Sequence, residues 1–229
     1  MNPDARIQEL LAHANALVGA RLSDIADGLG LPVPAGGLRS KGWSGQIIER
    51  ELGTTEESGH SSARGPDFPA LGIELKTVPV DRNGAPLEST AVCMIDPVVI
   101  AGESWESSTA RKKLQKILFV ALEVPEARGQ RKVVSVGDRT VAQVRLWSPS
   151  REEDERLRAD FEHIVRDYFR VGRGAELTGH IGELLQVRPK AQNNRDTRSA
   201  YDSTGQPVAL GKMGFYLRPT FVGAILRNA

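Results

Sequence analysis

The stretch GPDFPALGIELKT, residues 65–77, joins a turn signal to the start of an apolar segment. Apolar and β-branched residues dominate from Leu71 to Val80, with turn-forming residues before them at Gly65-Pro66 and after them at Asp81–Gly84. Short segments of this kind, bounded by such residues, are typical of strands. The sequence therefore predicts a strand over Leu71–Val80, and the candidate functional residues lie on it or next to it.

Two acidic residues and a lysine in this stretch have a spacing that suits a metal-dependent phosphodiesterase. Side chains alternate along a strand, so Glu74 and Lys76 are expected on one face, and Ile73 and Leu75 on the other. Asp67 follows a proline and precedes Glu74 by seven residues, so a neighbouring turn or strand can return its carboxylate to the face of Glu74. We expect two carboxylates and one ammonium group to converge there.

The residue types fit the chemistry of phosphodiester hydrolysis. A phosphodiester is anionic and resists attack, so a nuclease needs a hard cation at the phosphate and an oriented water. Mg²⁺ prefers oxygen ligands, usually one or two carboxylates completed by water and substrate phosphate, which Asp67 and Glu74 can provide. Lys76 can orient or deprotonate the attacking water, or stabilise charge in the transition state. The alternative is a solvent-exposed strand face on which Glu74 and Lys76 form a weak surface pair.

Sequence blocks along most of the chain resemble those of one nuclease family. The resemblance is to the PD-(D/E)xK nuclease superfamily and, more closely, to the MutH family of mismatch-repair endonucleases that incise one DNA strand. The blocks occur in the order of that family: KGWSGQIIE (41–49), DFPALGIELKTVPVD (67–81), PLEST (86–90), SWESS (104–108), LWSP (146–149), LQVRPKA (185–191) and GFYL (214–217).

The resemblance implies both a fold and an activity. The expected fold is mixed α/β and restriction-endonuclease-like: a central β-sheet flanked by helices, with two arms around a DNA cleft. We expect a single nuclease domain over 1–229, with an N-terminal catalytic arm at about 1–108 and a C-terminal recognition arm at about 109–229. The implied reaction is Mg²⁺-dependent nicking of the unmethylated strand at hemimethylated GATC sites in double-stranded DNA. The implied partners are MutL and MutS, and the protein is expected to be a monomer.

The same resemblance assigns roles to residues outside the strand. Glu49, on a helix predicted over Trp43–Leu52, matches an acidic residue that joins the metal site of the family. Lys41 and Lys113 match lysines that lie near the DNA backbone and the active site. Taken without the resemblance, each of the three is an ordinary exposed charged residue.

A second group of matched residues concerns recognition of the DNA site. Arg188 and Pro189 match the Arg-Pro pair that recognises the site, and arginine is the side chain best suited to bidentate contact with guanine O6 and N7. Tyr216 matches the tyrosine that senses adenine methylation, which a bulky ring against the adenine N6 edge can do sterically. The sequence departs from the family at Ala91, where an aromatic residue is expected.

Composition and charge set further limits. The chain has 229 residues, 40% of them hydrophobic, one cysteine and a net charge of +1. No apolar run approaches the ~20 residues of a membrane span, and the start of the chain has no signal-peptide pattern. The single Cys93 is expected to be buried and suits a reducing compartment, so a cytoplasmic location is predicted. Basic residues concentrate in 111–132, a distribution that suits either a face that binds phosphates or a solvated helix face.

Local signals predict several other elements. Asn2 and Ser150 are expected to cap helices, the second with a capping box completed by Glu153. Ser89–Ile95 is predicted to be a strand antiparallel to the strand that carries the lysine, and Gln192–Gly205 is predicted to be a polar loop.

Two other functions remain open at this point. A GATC-specific type II restriction endonuclease of the same fold would cut both strands without partners, as a dimer. A DNA-binding module with an inactive nuclease site would not cut at all.

Overall fold

The computed structural model describes residues 2–34, 42–54, 65–125, 135–190, 197–201, 204 and 206–228. The helices of this part are α1 (Pro3–Ala16), α2 (Leu22–Gly28), α3 (Trp43–Glu51), α4 (Thr109–Leu114), α5 (Arg151–Ile164) and α6 (Pro219–Arg227). The strands are β1 (Glu74–Val80), β2 (Thr90–Met94), β3 (Ile117–Glu123), β4 (Thr140–Trp147), β5 (Leu185–Pro189), β6 (Thr197–Tyr201), β7 (Pro207–Gly211) and β8 (Met213–Leu217). The mixed α/β fold with helices beside its sheets is confirmed.

The described residues form two compact units that interleave along the sequence. The first unit comprises the described residues within 2–88, 116–147 and 222–228, and the second comprises those within 89–115 and 148–221. The predicted arms around a DNA cleft, divided near residue 108, stay a prediction. None of the helices in the described part of the chain is both long enough and apolar enough to span a membrane.

The sheet of the first unit has the strand order β1-β3-β4, with β1 parallel to β3 and β4 antiparallel to it. The central strand β3 has the sequence ILFVALE, and its residues are buried except the last. Helices α1, α2 and α3 contribute Leu10, Ile25 and Ile47 to a core that also includes Ile73 and Leu75 beside β3. This core covers the face of β1 that carries Leu75, and Glu74 and Lys76 lie on the other face, followed by the buried Val78 and Val80.

The strand that carries the lysine begins later than the sequence predicts. Pro69–Leu71 forms a 3₁₀ turn that ends at Gly72, which has a φ of 64°. This left-handed conformation favours glycine, and it turns the chain just before β1. The strand therefore starts at Glu74 and not at Leu71, but the predicted alternation of faces is unchanged.

The predicted pairing of Ser89–Ile95 with the lysine strand is wrong. This segment forms β2, which is antiparallel to β8 in a second sheet of order β2-β8-β5. One edge of β1 is occupied by β3, and the backbone at its other edge bonds to Asp67 and, through Pro79 O, to Leu87 N. Neither edge is therefore left for β2.

The second unit is built around the sheet β2-β8-β5 and the helix α5. The Ser150–Glu153 capping box that starts α5 is confirmed, and so is the Asn2 cap of α1. The ring of Phe161 on α5 packs between Trp105 and Phe215, with centroid distances of 5.5 and 5.4 Å. Cys93 on β2 is buried, as the sequence predicts.

The segment Gln192–Gly205 is not entirely a loop. Thr197–Tyr201 forms β6, which pairs antiparallel with β7 over the whole length of both strands. The sequence TRSAY has no apolar alternation from which a strand could be predicted, so the strand depends on its partner.

Candidate active site

The face of β1 opposite the helices carries an ion pair between the two predicted catalytic residues on the strand. Lys76 Nζ lies 2.6 Å from Glu74 Oε1, the short distance of a charge-assisted hydrogen bond. The pair forms because alternation on a strand places positions 74 and 76 side by side. The predicted common face of Glu74 and Lys76 is therefore confirmed.

The burial of Glu74 and Lys76 rules out the alternative interpretation, in which they form a weak pair on a solvent-exposed face of the strand. Glu74 is only 1% exposed, and the side chain of Lys76 is 21% exposed. Burying a carboxylate costs several kcal/mol, which an ion pair offsets only in part, so apolar residues in place of both Glu74 and Lys76 would be at least as good for stability. A buried charged pair that stability does not require makes this face of β1 a candidate functional site.

Asp67 lies at the edge of the same strand. Glu74 N donates to Lys116 O at 3.0 Å, so the next amide along β1, that of Leu75, points away from β3. Asp67 Oδ2 accepts a hydrogen bond from Leu75 N at 2.8 Å. The turn before β1 thus returns the Asp67 carboxylate to the backbone next to Glu74, at the strand edge and not on the strand itself.

Glu49 occupies a different position relative to β1. It lies on α3, half-buried, and its Oε1 is 3.7 Å from the point where a Cβ on Gly45 would lie, as is Thr77 Oγ1. Thr77 alternates with Lys76, so its side chain is on the opposite face of β1. Among the residues that the structure describes, no three histidine, cysteine or acidic side chains form a group that could hold a metal ion. Glu49 as a third metal ligand stays a prediction.

The donor set of Asp67 and Glu74 fits Mg²⁺. This ion is usually held by one or two carboxylates, with water and substrate phosphate in the remaining positions. A three-residue protein cluster of the kind that holds zinc is therefore not required. The carboxylates of Glu74 on β1 and of Asp67 beside it are oxygen ligands of the type that a hard cation prefers, and Mg²⁺ as the cofactor stays a prediction.

The predicted recognition residues lie on the sheet of the second unit. Arg188 and Pro189 are exposed at the end of β5, and Tyr216 is half-buried on β8. Pro189 suits this place because β5 is an edge strand of the sheet, where a missing N–H costs no ladder bond. In the register, Arg188 pairs with Gly214, and Ala91 pairs with Tyr216. The tyrosine ring therefore faces a methyl group where the family is expected to have an aromatic ring.

Lys113 and Lys41 complete the predicted set. Lys113 is half-buried on α4, which belongs to the second unit. Lys41 lies outside the described residues. The roles predicted for both lysines in DNA binding stay predictions.

Three residues beside Arg188 and Tyr216 were not singled out from the sequence. Ser89 Oγ accepts hydrogen bonds from Gln186 Nε2 at 2.7 Å and from Arg188 Nη1 at 3.0 Å. Gly214 lies under the ring of Tyr216, because a Cβ there would be 3.3 Å from Tyr216 Cε2. The blocks PLEST, LQVRPKA and GFYL contain these residues, but sequence separations of 97 and 99 residues hide the two contacts of Ser89.

Comparison with known proteins identifies the family of this chain. The family model described as "DNA mismatch repair enzyme MutH" matches residues 57–160, which include Asp67, Glu74 and Lys76. Proteins named "DNA mismatch repair protein MutH" are similar over nearly the whole chain. That of Haemophilus ducreyi is 38% identical over 220 residues, covering 96% of this chain and 92% of its own. That of Pectobacterium atrosepticum is 41% identical over 219 residues, covering 96% and 90%. That of Shewanella amazonensis is 40% identical over 227 residues, covering 99% and 96%. The chain therefore belongs to the MutH family of DNA mismatch repair enzymes, and it is a DNA endonuclease.

Proposed function

We propose that this endonuclease nicks the unmethylated strand at hemimethylated GATC sites in double-stranded DNA, in a reaction that depends on Mg²⁺. The observation that carries the proposal is the buried Glu74–Lys76 ion pair, with the Asp67 carboxylate bonded to the backbone beside it. Folding does not require two acidic groups and a lysine at the start of one strand. Hydrolysis of a phosphodiester uses such groups to bind a cation and to orient water.

Each residue of the site has a role in this chemistry. Asp67 and Glu74 would hold Mg²⁺, with Glu49 as a third acidic group, and the bound ion would polarise the phosphate and activate a water. Lys76 has three N–H donors, of which one is directed at Glu74 Oε1. Its other donors can orient the attacking water or stabilise negative charge on the phosphate oxygens.

Recognition of the site is assigned to the second unit. Arg188 would donate to guanine O6 and N7 in the major groove, with Pro189 beside it. Tyr216 would place its ring against the adenine N6 edge, where a methyl group is a steric obstacle. Residues directly opposite on antiparallel strands share a face, so Arg188, Gly214 and Tyr216 lie on the same face of the sheet. Lys41 and Lys113 would contact phosphates, which position the DNA without distinguishing its sequence.

The proposal includes partners and a location. The relatives are named as DNA mismatch repair proteins, and this supports activation of a monomer by MutL and MutS. The reaction would take place in the cytoplasm, a location that the single buried cysteine suits.

A nicking assay on supercoiled plasmid with one GATC site tests the proposal. The plasmid is supplied unmethylated, hemimethylated and fully methylated, in Mg²⁺ or EDTA and with or without MutL. We expect nicking only on unmethylated strands and only with Mg²⁺. Glu74→Gln and Lys76→Ala should each reduce the rate at least about a hundredfold. Glu9→Gln, at an exposed position on α1, should leave the rate unchanged.

Other outcomes would identify a different function. Double-strand breaks made without MutL by a dimer would indicate a restriction endonuclease. Cleavage that is indifferent to methylation would remove the role of Tyr216 but keep the nuclease. If no cleavage occurs even with MutL, the active-nuclease proposal is wrong.

A further inference from the structure

Two hydrogen bonds that share the Ser89 hydroxyl oxygen connect the interior of the second unit to the exposed Arg188. Gln186 is 4% exposed on β5, and its Nε2 donates to Ser89 Oγ at 2.7 Å. Arg188, two residues further along β5 and on the same face, donates from Nη1 to the same oxygen at 3.0 Å. A buried amide thus fixes a hydroxyl, and the hydroxyl holds an exposed guanidinium.

A contact that fixes an arginine side chain before DNA binds affects the free energy of binding. A long, exposed side chain has many rotamers in solution and loses them on binding, so fixing it beforehand favours the bound state. Within the described residues, the Arg188 guanidinium directs one of its five N–H groups at Ser89. A pair of N–H groups is left for the two acceptors of a guanine edge.

The residue opposite Arg188 on β8 is a glycine, so no side chain covers Arg188 from that position. Gly214 lies opposite Arg188 in the register. A Cβ at this position would be 2.8 Å from Cys93 O and 3.3 Å from Tyr216 Cε2. The Tyr216 ring therefore leans over Gly214, towards the row of Arg188, and the two side chains proposed to contact the DNA bases are neighbours on one face.

We propose that Ser89 and Gln186 are positioning residues for specificity, which hold the Arg188 guanidinium ready to recognise the guanine of the DNA site. This inference rests on the proposed function, in which Arg188 contacts guanine. Ser89 and Gln186 act through Arg188 and need not touch the DNA themselves.

The test measures how strongly the protein senses the guanine N7 atom. DNA binding is measured in EDTA with a GATC duplex and with the same duplex carrying 7-deazaguanine, which lacks the N7 acceptor. The ratio of the two dissociation constants is the N7 penalty. For the unmodified protein we expect a penalty of about tenfold, because one bond of a bidentate pair is lost. For Arg188→Ala we expect a penalty near one.

Ser89→Ala distinguishes positioning from a general structural role. We expect its N7 penalty to fall to about threefold or less, as the guanidinium regains its freedom. Its affinity for duplex without GATC should stay unchanged, and its melting temperature should fall by only a few degrees, because the buried Gln186 Nε2 loses its acceptor. Ser89→Thr, which keeps the hydroxyl, should restore the penalty. Ser104→Ala, an exposed serine of the same unit that bonds to Ser107, should behave like the unmodified protein.

The outcomes separate this inference from the proposed function. An N7 penalty in Ser89→Ala equal to that of the unmodified protein would overturn the positioning role. A fall in affinity that is equal for both duplexes would overturn it as well. An N7 penalty that survives in Arg188→Ala, or is absent in the unmodified protein, would show instead that Arg188 does not recognise guanine.

Discussion

Substitution of Asp160 by asparagine should destabilise the protein more than its position on a helix suggests. Asp160 is on α5 and only 8% exposed, and its carboxylate accepts hydrogen bonds from three consecutive backbone amides. Oδ1 accepts from Glu183 N at 2.7 Å, and Oδ2 accepts from Leu184 N at 2.6 Å and from Leu185 N at 2.8 Å. The first two amides lie just before β5, and the amide of Leu185 begins the strand.

The magnitude follows from the number of acceptors. An ionised carboxylate has acceptor sites on both oxygens, whereas an asparagine side chain has one acceptor oxygen and one NH₂ group. Because all three partners of Asp160 are N–H donors, the NH₂ group would face a donor and could form no hydrogen bond with it. At least one of the three bonds is lost, and the others lose their charge assistance. With 1.5–3 kcal/mol for a hydrogen bond to a charged group, the loss is about 3 kcal/mol. For a chain of this size, that corresponds to a fall in melting temperature of roughly 6–12 °C.

Thermal unfolding measured by calorimetry or circular dichroism tests Asp160→Asn directly. Asp27→Asn makes the same chemical change at an exposed position on α2, where we expect an effect within about 0.5 kcal/mol. Leu185 begins the strand that ends in Arg188 and Pro189, so we also expect weaker binding to GATC duplex well below the melting temperature. If Asp160→Asn melts within about 2 °C of the unmodified protein, the three short bonds are not a structural clamp, and the reasoning is wrong.

Two further predictions concern the same unit. Gly182 has a φ of 84°, and a Cβ there would collide with the carbonyl oxygen of Leu185. Gly182→Ala should therefore lower the free energy of unfolding by more than about 2 kcal/mol in a urea titration. The control is Gly179→Ala, where a Cβ would make only an ordinary contact, 3.5 Å from Gln186 Oε1. A hydrogen bond from Arg166 lowers the pKa of the Asp167 carboxyl to about 2. Arg166→Gln should therefore raise the pKa of Asp167 towards 3.8, measured by NMR titration of its carboxyl carbon. An unchanged pKa would contradict this cause. Because the pKa is depressed in the folded state, any stability from this exposed pair is present above pH 3.8 and is lost as the pH falls towards 2.

Much of the candidate site follows from local sequence patterns. The placement of Glu74 and Lys76 on one face of β1 was predicted correctly, because alternation along a strand depends only on neighbouring residues. The Asn2 cap and the Ser150–Glu153 capping box are equally local, since a cap joins residues within one helical turn. The order of the sequence blocks along the chain then indicated the family, which the comparisons confirm.

The partner of each strand could not be predicted in the same way. The β2 segment was predicted to pair with the lysine strand because it follows that strand in sequence, but it pairs with β8, whose residues come more than a hundred positions later. A strand has the same alternating pattern whichever strand it pairs with, so a local pattern does not specify the partner. The contact of Ser89 with Arg188 and the clamp of Asp160 depend on that choice of partner and on the packing of α5, and were therefore not predicted.

The sequence by itself determined which residue types are available for catalysis, their order and their spacing, and through these the family of the protein. Only the tertiary structure decided that Glu74 is buried, that Asp67 bonds to the amide of Leu75, and that Ser89 holds Arg188. The physical reason is that strand and helix periods are set by the local backbone. Burial and hydrogen bonding between distant residues arise only when the packed chain excludes water, and this depends on the whole set of non-local contacts.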